Sequence, residues 1–382
     1  MKVSAGLLFQ NADDFFARAE DSTTQPHGSS SSFRDEIHAG EFAASVGFDG
    51  IWVVEHHFTS HGETPSPLQE LTYFAGRCPE VDLGTCVLVL PWNDPVRLAE
   101  QIAVLDNLLG PDRRLTLGLG RGAAQTEFDG FEVPLSESTE RFKEYAGILR
   151  QLIAETNTSY KGKFRSFENL TTLPRPRTVP AELLDQMYCA WGSQSSLVYA
   201  AEAGFRPLFN PKGSPTEYAG QIREFNEIRV RNGMEPRRPI TTVLVYADKD
   251  EERAREDALR YLRPWAEINL MHYQLLDAEH FRTAGNYADY VARAEAAASM
   301  PRHELLDSFA ANQVFGTPAQ CLEQLRTFYQ NVNPEEFVFV MRFGGMPYET
   351  AEANIKLISE QVLREVKSWQ PRPAEDTLRV PG

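Results

Sequence analysis

The chain has 382 residues, of which 42% are hydrophobic and 24% are charged, and its formal net charge is −16 at pH 7. This composition is typical of a globular protein with a sizeable core. The negative charge argues against a nucleic-acid or anionic-membrane partner, because both require clustered Lys and Arg. No stretch approaches the roughly 20 apolar residues that span a bilayer, and no signal peptide is expected. Four scattered cysteines without C-x-x-C spacing predict reduced thiols in a cytoplasmic protein, although their number alone leaves a disulfide open.

Strand-like runs alternate with amphipathic helical runs along the chain, which is the pattern of βα units around a parallel sheet. The eight predicted strands cover residues 3–9, 51–54, 82–90, 114–119, 186–191, 206–209, 240–247 and 336–343. A predicted helix follows each of them. Eight such units predict an α/β protein with one (β/α)8 TIM barrel over residues 1–370 rather than an open sheet.

Four segments depart from this alternation. Residues 10–32 include four consecutive serines and are predicted to form a flap, either a disordered surface loop or a functional lid. Residues 157–177 are an excursion that could form a small hairpin. Residues 263–315 are a helical, aromatic-rich insertion with the position of a lid, and residues 371–382 are a Pro-rich tail.

The stretch GFDGIWVVEHHFTSHG places Glu55, His56 and His57 at the end of the second predicted strand. Parallel barrels carry their chemistry at the carboxyl ends of their strands, and histidine titrates near neutral pH. These residues therefore predict an active site. A metal site that adds His61 and Glu63 is the weaker interpretation, because successive strand residues point to opposite faces and no H-E-x-x-H motif is present. No metal is predicted.

Two glycine-containing turns follow other predicted strands. Arg121 lies among the glycines of GLGRG, where a guanidinium could contact an anion or a ring carbonyl, although such glycines also suit an ordinary turn. The turn GSQSS contains Gly192, Ser193 and Ser196 and leaves backbone N–H groups free at a helix N-terminus, which suits a phosphate. An ordinary helix cap needs only one serine. Cys86 lies in a strand and is interpreted first as a small apolar residue.

With these residues in place, the chain resembles the bacterial-luciferase-like flavin monooxygenases, and luciferase alpha chains in particular. The stretches that carry the resemblance are GFDGIWVVEHHFTSHG, GTCVLVLPWNDPVRLAEQIAVLDNL, RLTLGLGRG and GGMPYETAEANIKLISEQVL. The resemblance implies a (β/α)8 fold and the use of reduced FMN supplied by a separate flavin reductase. It also implies a flavin 4a-hydroperoxide formed with O2, a small-molecule substrate that is oxygenated, and a homodimer.

The resemblance also implies roles for individual residues. His56 matches the residue that acts as acid and base beside the flavin. Cys86 and Val87 match a pair whose peptide is often cis and lies against the isoalloxazine, and Arg121 matches an arginine that contacts the flavin. The turn GSQSS, residues 192–196, is called the serine turn. Its Ser193 and Ser196 match the phosphate-binding hydroxyls of the family. The predicted cofactor-binding residues are Glu55, His57, Cys86, Val87, Arg121, Arg141, Gly192, Ser193 and Ser196.

Two features depart from the luciferase pattern, and a third agrees with it. Gly120 stands where luciferase has a reactive cysteine, which is expected to leave more room and removes the thiol. Thr139 replaces an arginine that the family often carries at the start of the fourth helix, and Arg141 could substitute for it. The insertion 263–315 lies where luciferases keep a mobile lid, which shields the reactive flavin from water.

Two alternative functions remain open. A deazaflavin-dependent oxidoreductase belongs to a related branch of the same barrel superfamily, although the EHHF motif favours FMN. A non-catalytic flavin-binding or partner subunit, like luciferase beta chains, is disfavoured because this chain keeps His56 and the insertion. An aldehyde, a ketone, a sulfur compound and an aromatic or polyketide intermediate all fit the oxidant as substrates.

Overall fold

The structure is a computed structural model that describes residues 1–210, 212–283 and 288–379. Its strands are β1 (Lys2–Leu7), β2 (Gly50–Val53), β3 (Asp82–Val89), β4 (Leu115–Gly120), β5 (Thr158–Lys161), β6 (Ser166–Leu170), β7 (Met187–Ala190), β8 (Arg206–Phe209), β9 (Ile240–Ala247), β10 (Val314–Gly316) and β11 (Glu336–Val340). Eight of these strands close a parallel ring in the order β1-β2-β3-β4-β7-β8-β9-β11. The predicted (β/α)8 barrel is confirmed. The short strand β10 was not predicted, and it pairs with β9 outside the ring.

Helices surround this ring and connect its strands. They are α1 (Ala12–Glu20), α2 (Ser29–Ser45), α3 (Pro67–Arg77), α4 (Pro95–Leu109), α5 (Gln125–Gly130), α6 (Ser138–Ala154), α7 (Pro180–Asp185), α8 (Gln194–Glu202), α9 (Pro215–Arg231), α10 (Glu251–His272), α11 (Ala278–Thr283), α12 (Ala288–Ala298), α13 (Arg302–Ala310), α14 (Pro318–Val332), α15 (Tyr348–Ile358) and α16 (Arg364–Ser368). Among the described helices, none is both long and apolar enough to cross a membrane.

The strand sequences separate two hydrophobic layers. Neighbouring side chains on a strand point to opposite faces, so Ile51 and Val53 pack outward in the large core shared with the helices, whereas Trp52 points into the barrel. Trp52 packs there with Tyr188, Leu208, Ile240 and Val338. The barrel is filled at this level, and the carboxyl ends of its strands are left to form the site.

The segment predicted as a flap is more ordered than expected. Helix α1 occupies its first half, and α2 begins at Ser29 rather than near residue 33. The side chain of Asn11 caps α1 by accepting from the Asp14 backbone N–H. Buried Asp14 accepts in turn from the His27 backbone N–H at 2.8 Å. The prediction of an unstructured connection was therefore wrong for α1, because an aspartate and an asparagine in a polar stretch serve as internal anchors.

The other departures from the βα pattern also take definite form. Strands β5 and β6 form an antiparallel hairpin within residues 157–177. The insertion 263–315 contains the second half of α10, α11, α12, α13 and β10, and residues 284–287 lie outside the described part. A short helical turn over Ala374–Leu378 lies in the tail, of which residues 380–382 are likewise outside it. Whether the insertion moves as a lid stays a prediction.

Candidate active site

The carboxyl ends of the barrel strands open into a cavity of about 450 Å³. This volume lies in the range of roughly 300–1,000 Å³ that is usual for small-molecule and cofactor sites. The predicted site residues that line it are Glu55, His56, Cys86, Val87, Arg121, Gly192, Ser193 and Ser196. The structure therefore brings together eight of the ten residues predicted from sequence, and His57 and Arg141 lie outside the lining.

His56 is held by a carboxylate that sequence reasoning missed. Its Nδ1 lies 2.9 Å from Oε1 of Glu127 on helix α5, and the backbone N–H of His57 donates to the same oxygen at 3.0 Å. Burial by itself would raise the pKa of Glu127, but attraction by His56 and His272 outweighs it and holds that pKa well below its usual range. Glu127 is therefore a buried anion behind His56. The sequence feature that could have revealed Glu127 is its position as a carboxylate in the short helix that follows β4.

Two more histidines surround His56. The His61 ring lies 4.3 Å from the His56 ring and stacks on the His272 ring at 4.2 Å, measured between centroids. Burial, with the neighbouring His272 and His56, lowers the pKa of His61 well below its ordinary value. Burial also lowers the pKa of His272, although Glu127 opposes this shift. Both rings are therefore neutral near pH 7. His272 ends α10, where sequence reasoning saw only a helical insertion.

The insertion also brings a tyrosine over His56. The hydroxyl of Tyr273 lies 3.4 Å from Nε2 of His56, and burial, with Glu127 and Tyr290, raises the pKa of Tyr273 well above its usual value. The ammonium of Lys212 lies 4.3 Å from the centroid of the Tyr273 ring. Lys212 is an exposed residue at the cavity wall, where desolvation of its ammonium, with the nearby Arg293, lowers its pKa to about 8. Tyr273 remains a neutral hydroxyl, and Lys212 can change its charge in mildly alkaline solution.

Glu55 and His57 form the supporting wall of the cavity. The carboxylate of Glu55 accepts from the Val89 backbone N–H, the Trp92 indole and the Asn93 amide at 2.7–2.9 Å. His57 places Nε2 at 3.2 Å from Glu55 and packs its ring against Trp92. Strand β2 ends at Val53, so both histidines lie in the loop that follows it; the His57 ring turns to Glu55 and Trp92, whereas the His56 ring faces Glu127. His57 thus contacts the cavity wall through Glu55 and, by its backbone N–H, through Glu127.

The third strand forms one side of the cavity. The peptide between Cys86 and Val87 is cis, as the resemblance implied. The Cys86 thiol donates to Oδ1 of Asn210 at 3.4 Å, and burial raises its pKa to about 12, so it is a protonated wall residue. A Cβ added to Gly120 would lie 2.4 Å from Cγ2 of Val87. The room expected at Gly120 is therefore taken by the Val87 side chain.

The two arginines predicted to assist the cofactor differ in position. Nη1 of Arg121 donates to Oγ1 of Thr139 on α6 at 2.7 Å, and Arg121 lines the cavity. Arg141 instead donates to Glu137 at 2.8 Å and stacks its guanidinium over Phe164. Residues two apart on an α-helix are rotated by about 200°, so Arg141 points away from the face that carries Thr139. Whether Arg141 replaces the missing arginine stays a prediction; in this structure its guanidinium contacts Glu137 and Phe164 and does not line the cavity.

The serine turn is built as expected at the N-terminus of α8. Oγ of Ser193 lies 3.0 Å from Oγ of Ser196 and accepts from its backbone N–H. The insertion covers this turn, because the Gln194 backbone N–H donates to Asp289 at 2.6 Å and Arg293 donates to the Gly192 carbonyl at 3.2 Å. An anion bound to the turn would compete with Asp289 for the Gln194 N–H.

Comparison with known proteins identifies the class of the chain. The family model described as luciferase-like monooxygenase matches residues 15–334. The chain belongs to the luciferase-like monooxygenase family. It is 23% identical over 339 residues to the alkanal monooxygenase alpha chain of the Kryptophanaron alfredi symbiont, with 87% of this chain and 92% of that relative covered. The resemblance predicted from sequence motifs is therefore confirmed.

Solved structures share the fold of this luciferase-like monooxygenase. Monooxygenase RslO1 from Streptomyces bottropensis has a TM-score of 0.72 at 22% identity, covering 96% of this chain and 100% of that chain. The oxygenating constituent of 3,6-diketocamphane monooxygenase from the CAM plasmid of Pseudomonas putida, in complex with FMN, has a TM-score of 0.69 at 16% identity, covering 97% and 100%. An F420-dependent secondary alcohol dehydrogenase has a TM-score of 0.66 at 16% identity, covering 95% and 98%.

The cavity of this luciferase-like monooxygenase combines two chemically distinct ends. One end carries His56, with Glu127 behind it and the Tyr273 hydroxyl above it. The other end carries the serine turn at the start of α8 and the neighbouring Arg121. A proton can be held or moved at the histidine end, and an anionic group can be bound at the serine end.

Proposed function

We propose that this protein is the oxygenating component of a two-component monooxygenase that uses reduced FMN and O2 to oxygenate a small organic substrate. The observation that carries the proposal is the placement of His56 and its buried partner Glu127 in one cavity with the serine turn. The proposal includes a separate flavin reductase as the source of reduced FMN, and a homodimer as the assembly.

The residues of the cavity fit FMN. Ser193, Ser196 and the N-terminus of α8 supply hydrogen-bond donors for a phosphate, and Arg121 adds a guanidinium beside them. Cys86 and Val87 supply an apolar wall for a flat ring. When bound, reduced FMN supplies the electrons that activate O2, which no side chain can supply at this site.

The side chains of this chain position and protect that chemistry. His56 presents Nε2 toward Tyr273 and the cavity, so it can hold or donate a proton there. Glu127 fixes the orientation of the His56 ring through Nδ1. Tyr273 and Tyr290 are both partly buried and line the cavity on the side of the insertion, where they limit the access of water.

Reconstitution with a reductase tests the proposal. The purified protein alone should not oxidise NADH, because the proposal assigns reduction of FMN to a separate protein. Adding a flavin reductase, FMN, NADH and isotopically heavy O2 should transfer one heavy oxygen atom to an aldehyde, ketone, sulfide or aromatic from a substrate panel, detected by mass spectrometry. Tight binding of reduced F420 with no binding of reduced FMN would replace the proposal with the deazaflavin alternative.

Lys212 predicts a pH dependence of FMN binding. Its pKa of about 8 reflects desolvation at the cavity wall and the nearby Arg293, and a bound anion favours its charged form. Below about pH 8 the Lys212 amine is charged whether or not FMN is bound. Above about pH 8 the free protein has a neutral Lys212, which must take up a proton when FMN binds. The Kd for FMN should weaken roughly tenfold from about pH 7.5 to about pH 9.5. Fluorescence quenching of FMN measures this change.

The matched variants for this titration are Lys212→Met and Lys249→Met. Both lysines are exposed, but Lys249 does not line the cavity, so its variant should keep the alkaline loss of affinity. The Lys212 variant should bind FMN more weakly near neutral pH and show a flat profile up to about pH 9.5. If the affinity for FMN still falls at alkaline pH in Lys212→Met, a group other than Lys212 is responsible for the pH dependence.

A further inference from the structure

Three histidines converge at the wall of the cavity. One ring nitrogen from each of His56, His61 and His272 lies within 4.8 Å of the others. His61 and His272 are buried, with 7% and 5% of their surfaces exposed. Tetrahedral zinc–nitrogen bonds of about 2.1 Å set ligand nitrogens about 3.4 Å apart. Side-chain shifts of about 1 Å would bring the three rings to that spacing.

The buried rings have polar atoms without partners. Among the described residues, Nδ1 of His61 and Nε2 of His272 have no hydrogen-bond partner. A buried imidazole nitrogen that lacks a partner loses the hydrogen bond it would make in water. Two such atoms in one cluster are rarely left together in a stable interior, and a shared cation would satisfy both of them at once.

The surroundings of the cluster are those that orient metal ligands. Metal-binding histidines usually place their second ring nitrogen against a carboxylate or another oxygen. Nδ1 of His56 lies 2.9 Å from Glu127, and Nδ1 of His272 lies 3.0 Å from Oγ1 of Thr59. The Thr59 contact leaves Nε2 of His272 for a ligand, and Nε2 of His56 has the Tyr273 hydroxyl at 3.4 Å, which an ion would displace. Oε1 of Glu127 also lies 3.6 Å from Nε2 of His272 and provides a negative charge beside the cluster.

We infer that His56, His61 and His272 form a binding site for a divalent transition-metal ion, with Glu127 and Thr59 orienting the rings. Imidazole ligands favour ions such as Zn²⁺, Co²⁺ and Cu²⁺ over Mg²⁺ and Ca²⁺. This set differs from the one rejected on sequence grounds, because His57 turns to Glu55 and the third ring comes from the distant α10. The ion reaches the site through the cavity, where the His56 side chain is 15% exposed.

A metal titration of the full-length, metal-stripped protein tests the inference. Zn²⁺ should bind with one ion per chain in isothermal titration calorimetry, and Co²⁺ should give the visible absorption of a nitrogen-coordinated ion. His61→Gln and His272→Gln should each weaken Zn²⁺ binding at least tenfold, whereas His303→Gln should leave it unchanged because the His303 side chain is 76% exposed. Absence of saturable binding, or equal affinity in all three variants, would overturn the inference.

A milder variant guards against loss of folding in the buried histidine variants. Thr59→Val keeps the shape of the side chain but removes the oxygen that faces Nδ1 of His272. Loss of such an outer partner typically weakens metal binding about 10- to 100-fold. Thr59→Val should therefore bind Zn²⁺ at least tenfold more weakly while its circular dichroism spectrum stays that of the parent protein. An unchanged Zn²⁺ affinity in this folded variant would contradict the proposed orientation.

The proposed monooxygenase activity offers a second readout. Because His56 supplies one ligand, bound Zn²⁺ should suppress oxygenation by the reconstituted enzyme, and EDTA should restore it. This inhibition experiment rests on the proposed function, whereas the Zn²⁺ and Co²⁺ titrations do not. Stoichiometric Zn²⁺ binding that depends on His61 and His272, in a protein without oxygenase activity, would support the metal site and refute the proposed function. Full oxygenase activity with the site saturated by Zn²⁺ would remove His56 from the ligand set.

Discussion

Replacing His56 by alanine should reduce oxygenated product by roughly 100- to 10,000-fold, the range attributed to general acid–base groups. His56 is the titratable side chain at the cavity surface that has both a buried anion behind it and a hydroxyl in front of it. Consumption of reduced FMN and O2 should continue in the variant, because supply of electrons does not require His56. The measurement is product per reduced FMN consumed, with released hydrogen peroxide quantified in parallel.

The control for this experiment is His303→Ala, which removes an exposed imidazole from α13. It should leave the ratio of product to reduced FMN unchanged. Equal ratios in His56→Ala and the parent protein would show that His56 is not the acid or base. A variant that loses FMN binding altogether would instead indicate that His56 chiefly shapes the cavity, so the Kd for FMN is measured with each variant.

Replacing Gly118 by alanine should destabilise the barrel by about 3 kcal/mol or more, as overpacking of a rigid core does. A Cβ at Gly118 would lie 2.0 Å from the backbone oxygen of Thr85 and 2.8 Å from Cδ2 of Leu208. The Thr85 oxygen belongs to β3 and cannot move without disturbing the strand that carries Cys86. The midpoint of thermal unfolding should fall by roughly 5 °C or more. FMN binding should weaken in the variant because Cys86 and Val87 line the cavity.

Gly147→Ala is the matched control for this change in stability. Gly147 lies within α6, and nothing stands within 4 Å of a Cβ added there. Alanine should stabilise the helix by up to about 1 kcal/mol, because glycine loses more backbone entropy on folding. The two glycine-to-alanine changes should therefore shift the unfolding midpoint in opposite directions. Equal midpoints for Gly118→Ala and the parent protein would refute the close contact between β3 and β4.

Local sequence patterns were sufficient to predict the barrel. Strand β8 was predicted at residues 206–209 and β9 at residues 240–247, and both have these bounds in the structure. Strand β2 was placed within one residue. These strands are apolar runs closed by turn residues, so the pattern needed no distant information. The helix α1 was missed because its short amphipathic run lies among residues that also favour loops, and its stability depends on contacts with the distant Ser60.

The sequence by itself determined the barrel, the position of His56 at a strand end, and the serine turn before α8, because each is encoded in a few consecutive residues. The tertiary structure decided which groups meet His56. Glu127 is 71 positions away from His56, and His272 is 213 positions away from its partner Thr59. Barrel closure and the return of α10 create these contacts, and neither leaves a periodic signal in the chain. The motif GFDGIWVVEHHFTSHG predicted the site, and packing around it decided its charge and its neighbours.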